Sequence, residues 1–265
     1  MKIIHQAILP LGFQASAKAC GLKKSGKLDL ALFYSTVPAK TRAMFTTNSM
    51  PAAPVIVCQE HLKKSRLFQA IIVNSGNANC FTGNAGIKDT RRTAEALAVQ
   101  LKIKKESVLI GSTGIIGKPL DFSKIKKSLP DLVKSLSLRG VDLAKKAIMT
   151  TDKFTKEITV KFKLDSREVT VCGVAKGAGM IAPNMATMLA FVFTDCAITP
   201  DSLDRALKQA VDNSFNCVTV DGCMSTNDTV IILANGCAKN KIIENGEALA
   251  QFQNAINTVC LELAK

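Results

Sequence analysis

Two adjacent strand patterns restrict the fold more than any other feature of the sequence. In residues 157–164, apolar side chains alternate with polar ones, as in a β-strand with one buried face. A turn at 165–167 leads into a second alternating segment at 168–174, so we predict a β-hairpin. Because a hairpin is antiparallel, a purely parallel sheet is excluded.

Further segments predict an α/β domain with antiparallel pairing. Short apolar runs predict three more strands, and apolar residues at helical spacing predict three helices, two of which follow the entry signals Thr199-Pro200 and Asn245. The strands are expected at 71–74, 108–111 and 229–233, and the helices at 89–101, 201–213 and 246–263. No linker, repeat or low-complexity tract divides the chain.

Composition argues against several classes of protein. The net charge is +14, but the lysines occur in scattered pairs, and one Tyr and no Trp leave little aromatic platform for nucleic-acid bases. The N-terminal MKIIHQAILPLGF lacks a signal-peptide cleavage site, and the longest apolar stretch, 180–193, is too short to span a membrane. We therefore expect a soluble protein that binds neither nucleic acid nor membrane.

Cysteine and histidine usage indicates a reducing compartment and no metal. The nine cysteines are odd in number and contain no C-x-x-C pair, so we expect reduced thiols and a cytoplasmic location. His5 and His61 are the only histidines, which leaves little material for a histidine metal site or a Ser-His-Asp triad. Asp221 and Asp228, in VDGCMSTND, do not fit an EF-hand loop.

Residues 173–193 contain the highest concentration of candidate functional residues. A Gly-rich turn there precedes an apolar run whose only hydroxyl group belongs to Thr187. A lone Thr in an apolar strand is ordinarily structural. However, KGAGMIAPNMATML resembles the motif at which ornithine acetyltransferases (glutamate N-acetyltransferases, the ArgJ family) cut their own chain between Ala and Thr. In this sequence that bond joins Ala186 and Thr187.

The resemblance extends over essentially the whole chain. Five further segments are similar to family segments and follow in the family's order. They are FTTNSMPAAPV (45–55), VNSGNANCFTG (73–83), STGIIGKPL (112–120), MTTD (149–152) and VDGCMSTNDTV (220–230). On these six motifs the chain is identified as a member of the family.

The resemblance implies a nucleophile and an oxyanion hole. Thr187 is the nucleophile, and once it is an N-terminus its own α-amine, with a pKa of about 7.7–8.0, acts as the base in place of a histidine. Thr113 and the backbone N–H of Gly114 are the implied oxyanion donors. For the substrate, the resemblance implies that Lys176 holds a carboxylate and that Thr150 makes a contact, with Thr151 as the adjacent alternative.

Several of these segments also have plainer interpretations. Without the resemblance, Lys176 is a surface lysine, and STG at 112–114 is a turn that follows a strand. NSGNAN, at 74–79, is either an anion nest of backbone N–H groups or a turn that uses Gly76 and Asn residues at positive φ.

The resemblance implies a layered α/β sandwich of the kind shared with self-processing aminopeptidases. Acetyl would pass from N2-acetyl-L-ornithine to Thr187 and then to L-glutamate in a ping-pong reaction without cofactor or metal, and acetyl-CoA is a second donor in bifunctional members. Residues 1–186 are the implied α-chain region and 187–265 the start of the β-chain region, two of each forming a heterotetramer. Family members continue beyond Lys265 with further substrate-binding residues, so we expect the C-terminal portion to be missing.

Three rival hypotheses stay open at this point. A self-processing aminopeptidase uses the same nucleophile but hydrolyses peptides. A truncated, non-catalytic paralogue would act as a binding or scaffold protein. A basic nucleic-acid binder would bind DNA in a salt-dependent way.

Overall fold

The computed structural model of the protein describes residues 1–177, 188–218 and 225–265. In these ranges, nine strands form one mixed sheet with helices packed on it. The strands are β1 (Lys2–Ile4), β2 (Phe13–Lys18), β3 (Leu30–Phe45), β4 (Leu67–Asn77), β5 (Val108–Ile115), β6 (Lys156–Leu164), β7 (Arg167–Lys176), β8 (Leu189–Thr194) and β9 (Thr229–Ala234). The α-helices are α1 (Ala53–Lys64), α2 (Gly83–Leu101), α3 (Phe122–Lys134), α4 (Val141–Ala147), α5 (Pro200–Asp212) and α6 (Gly246–Ala264).

The strand order places the last two strands of the chain inside the sheet. The order is β1-β6-β7-β8-β9-β3-β4-β5, and β2 pairs with β3 outside this path. The pairs β4–β5 and β8–β9 are parallel, whereas the other pairs are antiparallel. The two strands that follow the proposed cleavage site, β8 and β9, therefore lie between β7 and β3.

The long strand β3 joins two halves of the sheet. Its first part pairs with β2 and β4, the pairing with β4 resumes at Ala39 and Lys40, and its last part, Lys40 to Phe45, pairs with β9. An irregularity between Tyr34 and Ala39 separates the two parts, next to Pro38, which has no N–H to donate. Because rings of the first part lie against β8, with Phe33 and Phe193 stacked at 5.0 Å between centroids, the two halves face each other.

Helices cover the outer faces of the two halves. Helices α1 and α2 pack on β5, while α5 and α6 pack on each other and α6 lies on β6 and β7. Gly173 allows the close approach of α6, because a Cβ there would lie 2.6 Å from the side chains of Val259 and Leu263. The result is a layered α/β sandwich, as the resemblance implied. Within the described ranges, no helix is long and apolar enough to cross a membrane.

The predicted elements are present, and several are longer than the sequence patterns indicated. The hairpin is confirmed as β6 and β7, and its turn places Asp165 at φ 53°. The strands predicted at 71–74 and 108–111 extend to Leu67–Asn77 and Val108–Ile115. Thr199 caps α5 by accepting the Ser202 N–H at 3.4 Å, whereas Asn245 occupies the N-cap of α6 without a side-chain hydrogen bond.

Candidate functional site

The parallel strands β4 and β5 end side by side at the centre of the site. Thr113 and Gly114, near the end of β5, pair with Ser75 and Gly76 of β4. Gly114 has φ 134°, and a Cβ on it would lie 2.4 Å from the carbonyl carbon of Gly76. Only glycine permits this approach of two backbones, so local geometry requires Gly114 independently of any chemistry.

The segment 74–79 comprises the end of strand β4, up to Asn77, and the first two residues of the loop that follows, and its amide side chains are used internally. Gly76 and Asn79 have positive φ values of 94° and 46°. Asn77 accepts the Asn79 N–H at 2.7 Å and donates to the carbonyl oxygen of Lys118 at 3.0 Å. The turn interpretation is thus correct for the positive φ values of Gly76 and Asn79, but most of the segment is strand, and its polar groups support the neighbouring strand ends.

Asn227 connects the loop after β4 to strand β5. The sequence did not reveal this contact. Its side-chain amide donates to the carbonyl oxygens of Ala78, at 2.7 Å, and Ser112, at 2.9 Å. Both acceptors are more than a hundred residues away along the chain. The only sequence signal was the motif VDGCMSTNDTV, which gave no role to this residue.

Lys176, the last residue of β7, is buried in the site rather than displayed on the surface. It is 4% exposed, and its ammonium donates a hydrogen bond to Thr113 Oγ1 at 3.2 Å. Burial lowers the pKa of Lys176, and the charges of Asp152 and Asp228 act in the opposite direction. A buried ammonium is stabilised by an anion beside it, so this position suits the carboxylate of a ligand.

Asp152 connects two residues that the sequence analysis singled out separately. One carboxylate oxygen accepts the N–H of Gly177 at 2.6 Å, and the other accepts the N–H of Thr150 at 2.8 Å. The carboxylate therefore holds the residue after Lys176 against the predicted substrate contact. Sequence reasoning named the motif MTTD but assigned no role to its aspartate.

Two cavities meet at these residues. A cavity of about 170 Å³ and a larger one of about 1090 Å³ are both lined by Thr113, Gly114 and Lys176. Thr150, its neighbour Thr151 and Asp152 line the larger cavity. Four of the predicted site residues, Thr113, Gly114, Thr150 and Lys176, are thus brought together from three separate parts of the chain.

The predicted nucleophile and cleavage site, Thr187 and Ala186, lie outside the described residues. What the structure describes are the chain positions on either side. Lys176 of β7 pairs with Leu189 of β8, and Met188, the residue that follows Thr187 in the sequence, lines the smaller cavity.

Asp228 completes the smaller cavity. Its Oδ1 accepts the N–H of Met188 at 3.0 Å, and burial raises the pKa of its carboxyl group to about 8. Asp221, the other aspartate of the motif, lies outside the described residues. In the part of the chain that the structure describes, no three His, Cys, Asp or Glu side chains are grouped so as to hold a metal ion.

Comparison with known proteins shows extensive similarity to one family. The profile of the ArgJ family matches residues 14–265. The "Arginine biosynthesis bifunctional protein ArgJ" of Caldanaerobacter subterraneus subsp. tengcongensis is 50% identical over 93% of this chain and 61% of that protein. That of Geobacter sulfurreducens is 47% identical over 96% of this chain and 65% of that protein. The chain thus spans less than two thirds of the length of these curated relatives.

Solved structures agree with the sequence relatives and extend the fold comparison. Ornithine acetyltransferase of Mycobacterium tuberculosis, solved in complex with ornithine, is 38% identical and has a TM-score of 0.64, covering 71% of this chain and 99% of its own. The L-aminopeptidase D-Ala-esterase/amidase of Ochrobactrum anthropi is 10% identical with a TM-score of 0.60, over 98% of this chain and 86% of its own. At that identity, the second similarity concerns the fold alone.

Proposed function

The chain belongs to the ArgJ family, and from this premise we propose that it serves as the glutamate N-acetyltransferase of arginine biosynthesis. It would transfer acetyl from N2-acetyl-L-ornithine to L-glutamate. The observation that carries the proposal is the convergence of Thr113, Gly114 and Lys176 on a cavity that Met188 also lines. These are the positions to which the family resemblance assigns the oxyanion donors, the substrate lysine and the residue next to the nucleophile.

The chemistry assigned to Thr187 needs no histidine. Its hydroxyl oxygen attacks the acetyl carbonyl of N-acetylornithine, and its free α-amine takes up the hydroxyl proton, because a terminal amine is partly neutral at pH 7. The tetrahedral intermediate then collapses, ornithine leaves with a proton on its nitrogen, and acetyl-Thr187 remains. The amine of glutamate reverses these steps and leaves as N-acetylglutamate.

Thr113 and Gly114 stabilise the negative oxygen of each tetrahedral intermediate. The Thr113 hydroxyl already accepts a hydrogen bond from the Lys176 ammonium at 3.2 Å, which leaves its own proton directed elsewhere. A hydroxyl polarised by a neighbouring cation is a stronger donor to an oxyanion. The loss of one such donor typically raises a barrier by ~2.7–4 kcal/mol.

The proposal is tested by assaying acetyl transfer from N-acetylornithine to glutamate beside hydrolysis of amino-acid amides. The assays use this chain and an extended chain, which is this chain followed by the part of the Caldanaerobacter relative beyond the matched residues. Acetyl transfer supports the proposal. Amide hydrolysis without transfer favours the aminopeptidase alternative, and neither activity in either chain favours a non-catalytic paralogue.

Lys176→Met should weaken the binding of N-acetylornithine. The methionine keeps the buried length of the side chain but removes a charge-assisted hydrogen bond to the carboxylate, so we expect KM to rise roughly 10–100-fold. Lys145 of α4 offers a matched control, because it is also buried but its ammonium lies 2.7 Å from Glu157, and it lines neither cavity. Lys145→Met should lower the melting temperature and leave KM unchanged. Equal KM values in the Lys176→Met variant and the parent contradict the assigned role.

The volume and the basic lining of the larger cavity support acetyl-CoA as a second acetyl donor. About 1090 Å³ is more space than glutamate or acetylornithine fills, and the lining contains lysines in excess over the single acid Asp152. The lysines are Lys23, Lys24, Lys27, Lys118, Lys146 and Lys176. Such a basic lining suits the phosphate groups of coenzyme A.

Replacing Lys24 and Lys27 together with alanine should raise KM for acetyl-CoA about tenfold, which corresponds to two exposed ionic contacts. KM for N-acetylornithine should stay unchanged, because both lysines are exposed on the cavity rim. The matched control is Lys63→Ala with Lys64→Ala, two exposed lysines of α1 that line neither cavity. If both double variants have the parent's KM for acetyl-CoA, the rim does not bind the donor.

Assembly and location form the remaining part of the proposal. We infer that cutting at Ala186–Thr187 yields two chains that assemble as a heterotetramer of two α and two β chains. The solved Mycobacterium relative covers 71% of this chain, close to the share that residues 1–186 make up of 265. The eight cysteines in the described ranges are free thiols, which supports a reducing, cytoplasmic location.

A further inference from the structure

Asp228 is a buried carboxyl group that the proposed reaction leaves without a role. It is 1% exposed, its Oδ1 accepts the N–H of Met188 at 3.0 Å, and Ser225 lies close enough to act on the carboxyl group. Its other oxygen, Oδ2, is buried and has no hydrogen-bond partner among the residues that the structure describes. Buried polar atoms are nearly always paired, so an unpaired one in a cavity indicates a missing partner.

The position of Asp228 couples it to the nucleophile through the backbone. Asp228 holds the N–H of Met188, and the N–H of Thr229 donates to the Met188 carbonyl oxygen at 3.0 Å. Both backbone polar groups of Met188 are therefore fixed by two consecutive residues at the start of β9. Met188 is bonded directly to Thr187, the proposed nucleophile.

The surroundings of Asp228 favour its neutral form. Burial raises the pKa of the carboxyl group to about 8, while the Met188 N–H, the side chain and backbone of Ser225, and the charge of Lys176 oppose this increase. Lys176, on β7, is the other titratable group among the described residues that line the small cavity, and Asp152 in turn acts electrostatically on Lys176. Because Oδ1 accepts the N–H of Met188, the proton of the neutral acid resides on Oδ2.

We propose that Asp228 is a positioning residue that works as a neutral acid. Through Oδ1 it holds the backbone next to the nucleophile, and through the proton on Oδ2 it supplies a hydrogen-bond donor at the small cavity. An ionised Asp228 would place negative charge near Thr113 and Gly114, where the reaction develops an oxyanion. This inference rests on the proposed function for the identity of the nucleophile, whereas the state of the carboxyl group can be measured without it.

Asp228→Asn is the decisive variant, because asparagine has the same shape and keeps both hydrogen-bonding roles. Its amide oxygen accepts the Met188 N–H, and its amide nitrogen donates in place of the protonated Oδ2. We expect acetyl transfer at pH 7 within about threefold of the parent, since no hydrogen bond is lost. In the Asn variant, activity should rise with pH as the Thr187 α-amine becomes neutral, whereas in the parent the ionisation of Asp228 near pH 8 should oppose this rise, so that the parent falls below the variant in an alkaline step.

Asp228→Leu and Asp195→Asn serve as the comparison variants. Leucine fills the space without either hydrogen bond, so kcat should fall at least about 30-fold with little change in KM. Asp195 is likewise buried, but its two oxygens accept the N–H groups of Leu11 and Thr170, and it lines neither cavity. Asp195→Asn should lower the melting temperature at pH 7, because one N–H loses its acceptor, and should keep the alkaline step.

Two measurements on this chain decide the inference independently of catalysis. Carbon-13 NMR of the Asp228 carboxyl should show it protonated at pH 7 and titrating near pH 8. Since the unfolded chain releases this proton near pH 4, the folded form binds more protons between pH 4 and 8, and the stability contribution falls across that range. Asp228→Asn should therefore melt above the parent at pH 8, with the difference shrinking towards pH 4.

The outcomes separate this inference from the proposed function. Titration of Asp228 near pH 4 overturns it, as does an Asn variant that loses transfer to the same extent as the Leu variant while Asp195→Asn retains it. A parent chain without acetyl transfer contradicts the proposed function alone and leaves the titration and melting results to decide the role of Asp228.

Discussion

Thr187→Ala should leave the chain uncut and reduce acetyl transfer by about 10⁴-fold or more, the scale on which enzymes lose activity with their nucleophile. In the proposed self-cleavage, the Thr187 hydroxyl attacks the carbonyl carbon of Ala186, and the acyl group moves from the Thr187 nitrogen to its oxygen. Water then hydrolyses the ester, which restores the hydroxyl and releases residues 1–186 with a terminal carboxylate. The α-amine that catalysis requires is thus produced by the same residue.

Mass spectrometry of this chain and of the extended chain measures the cut directly, since the second product should begin at Thr187. Thr187→Ser is the control, because it retains the hydroxyl and loses only a methyl group, and it should keep both cleavage and transfer. An uncut chain that still transfers acetyl groups contradicts the mechanism.

Gly114→Ala should destabilise the protein and abolish acetyl transfer, even though it adds only a single methyl group. The new Cβ would lie 2.4 Å from the Gly76 carbonyl carbon and 2.5 Å from the Asn77 nitrogen, both backbone atoms that cannot rotate away. Gly114 also has φ 134°, a conformation that alanine rarely adopts. Overpacking together with backbone strain costs about 3–5 kcal/mol, so the melting temperature should fall by roughly 10 °C.

Gly111 provides the matched control within the same strand. A Cβ on Gly111 would meet the Val73 and Phe191 side chains at 3.3 and 3.4 Å, and these can shift slightly. Gly111→Ala should therefore cost much less and retain activity. Equal melting temperatures for the two variants would show that the ends of β4 and β5 can separate, and the rigid oxyanion hole argued for Gly114 would then be wrong.

Strands that bury only one face could be predicted from the sequence, because their apolar and polar residues alternate. Strand β6 has a regular alternation, so its pattern predicted it and its hairpin with β7. In β3, residues Leu30 to Phe33 are all buried, because packing occurs on both faces, and Pro38 interrupts the run. Helix α3 contains Pro130 in its interior, which also obscures helical spacing. These elements depend on tertiary packing and were not predicted.

Some residues of the candidate site could be named from short sequence motifs, whereas the contacts that support them join distant parts of the chain. Thr113, Gly114, Thr150 and Lys176 could be named because the family resemblance placed them in short motifs, and the structure brings them together. The supporting contacts could not be predicted. Asn227, for example, contacts residues 149 and 115 positions away, and no local pattern reports such distances. The role of Thr187 stays a prediction, because it lies outside the described residues.

The strand order has a consequence for what the proposed cut can achieve. Strands β8 and β9 follow the cut, yet they occupy the interior of the sheet, with β7 on one side and β3 on the other. Twelve register pairs join β8 to β7 and β9 to β3, six on each side. Severing the covalent link therefore does not create two modules that can drift apart. The second product would supply the two central strands, and the first product without it would expose the unpaired edges of β7 and β3, so we expect the two products to stay associated and to unfold together.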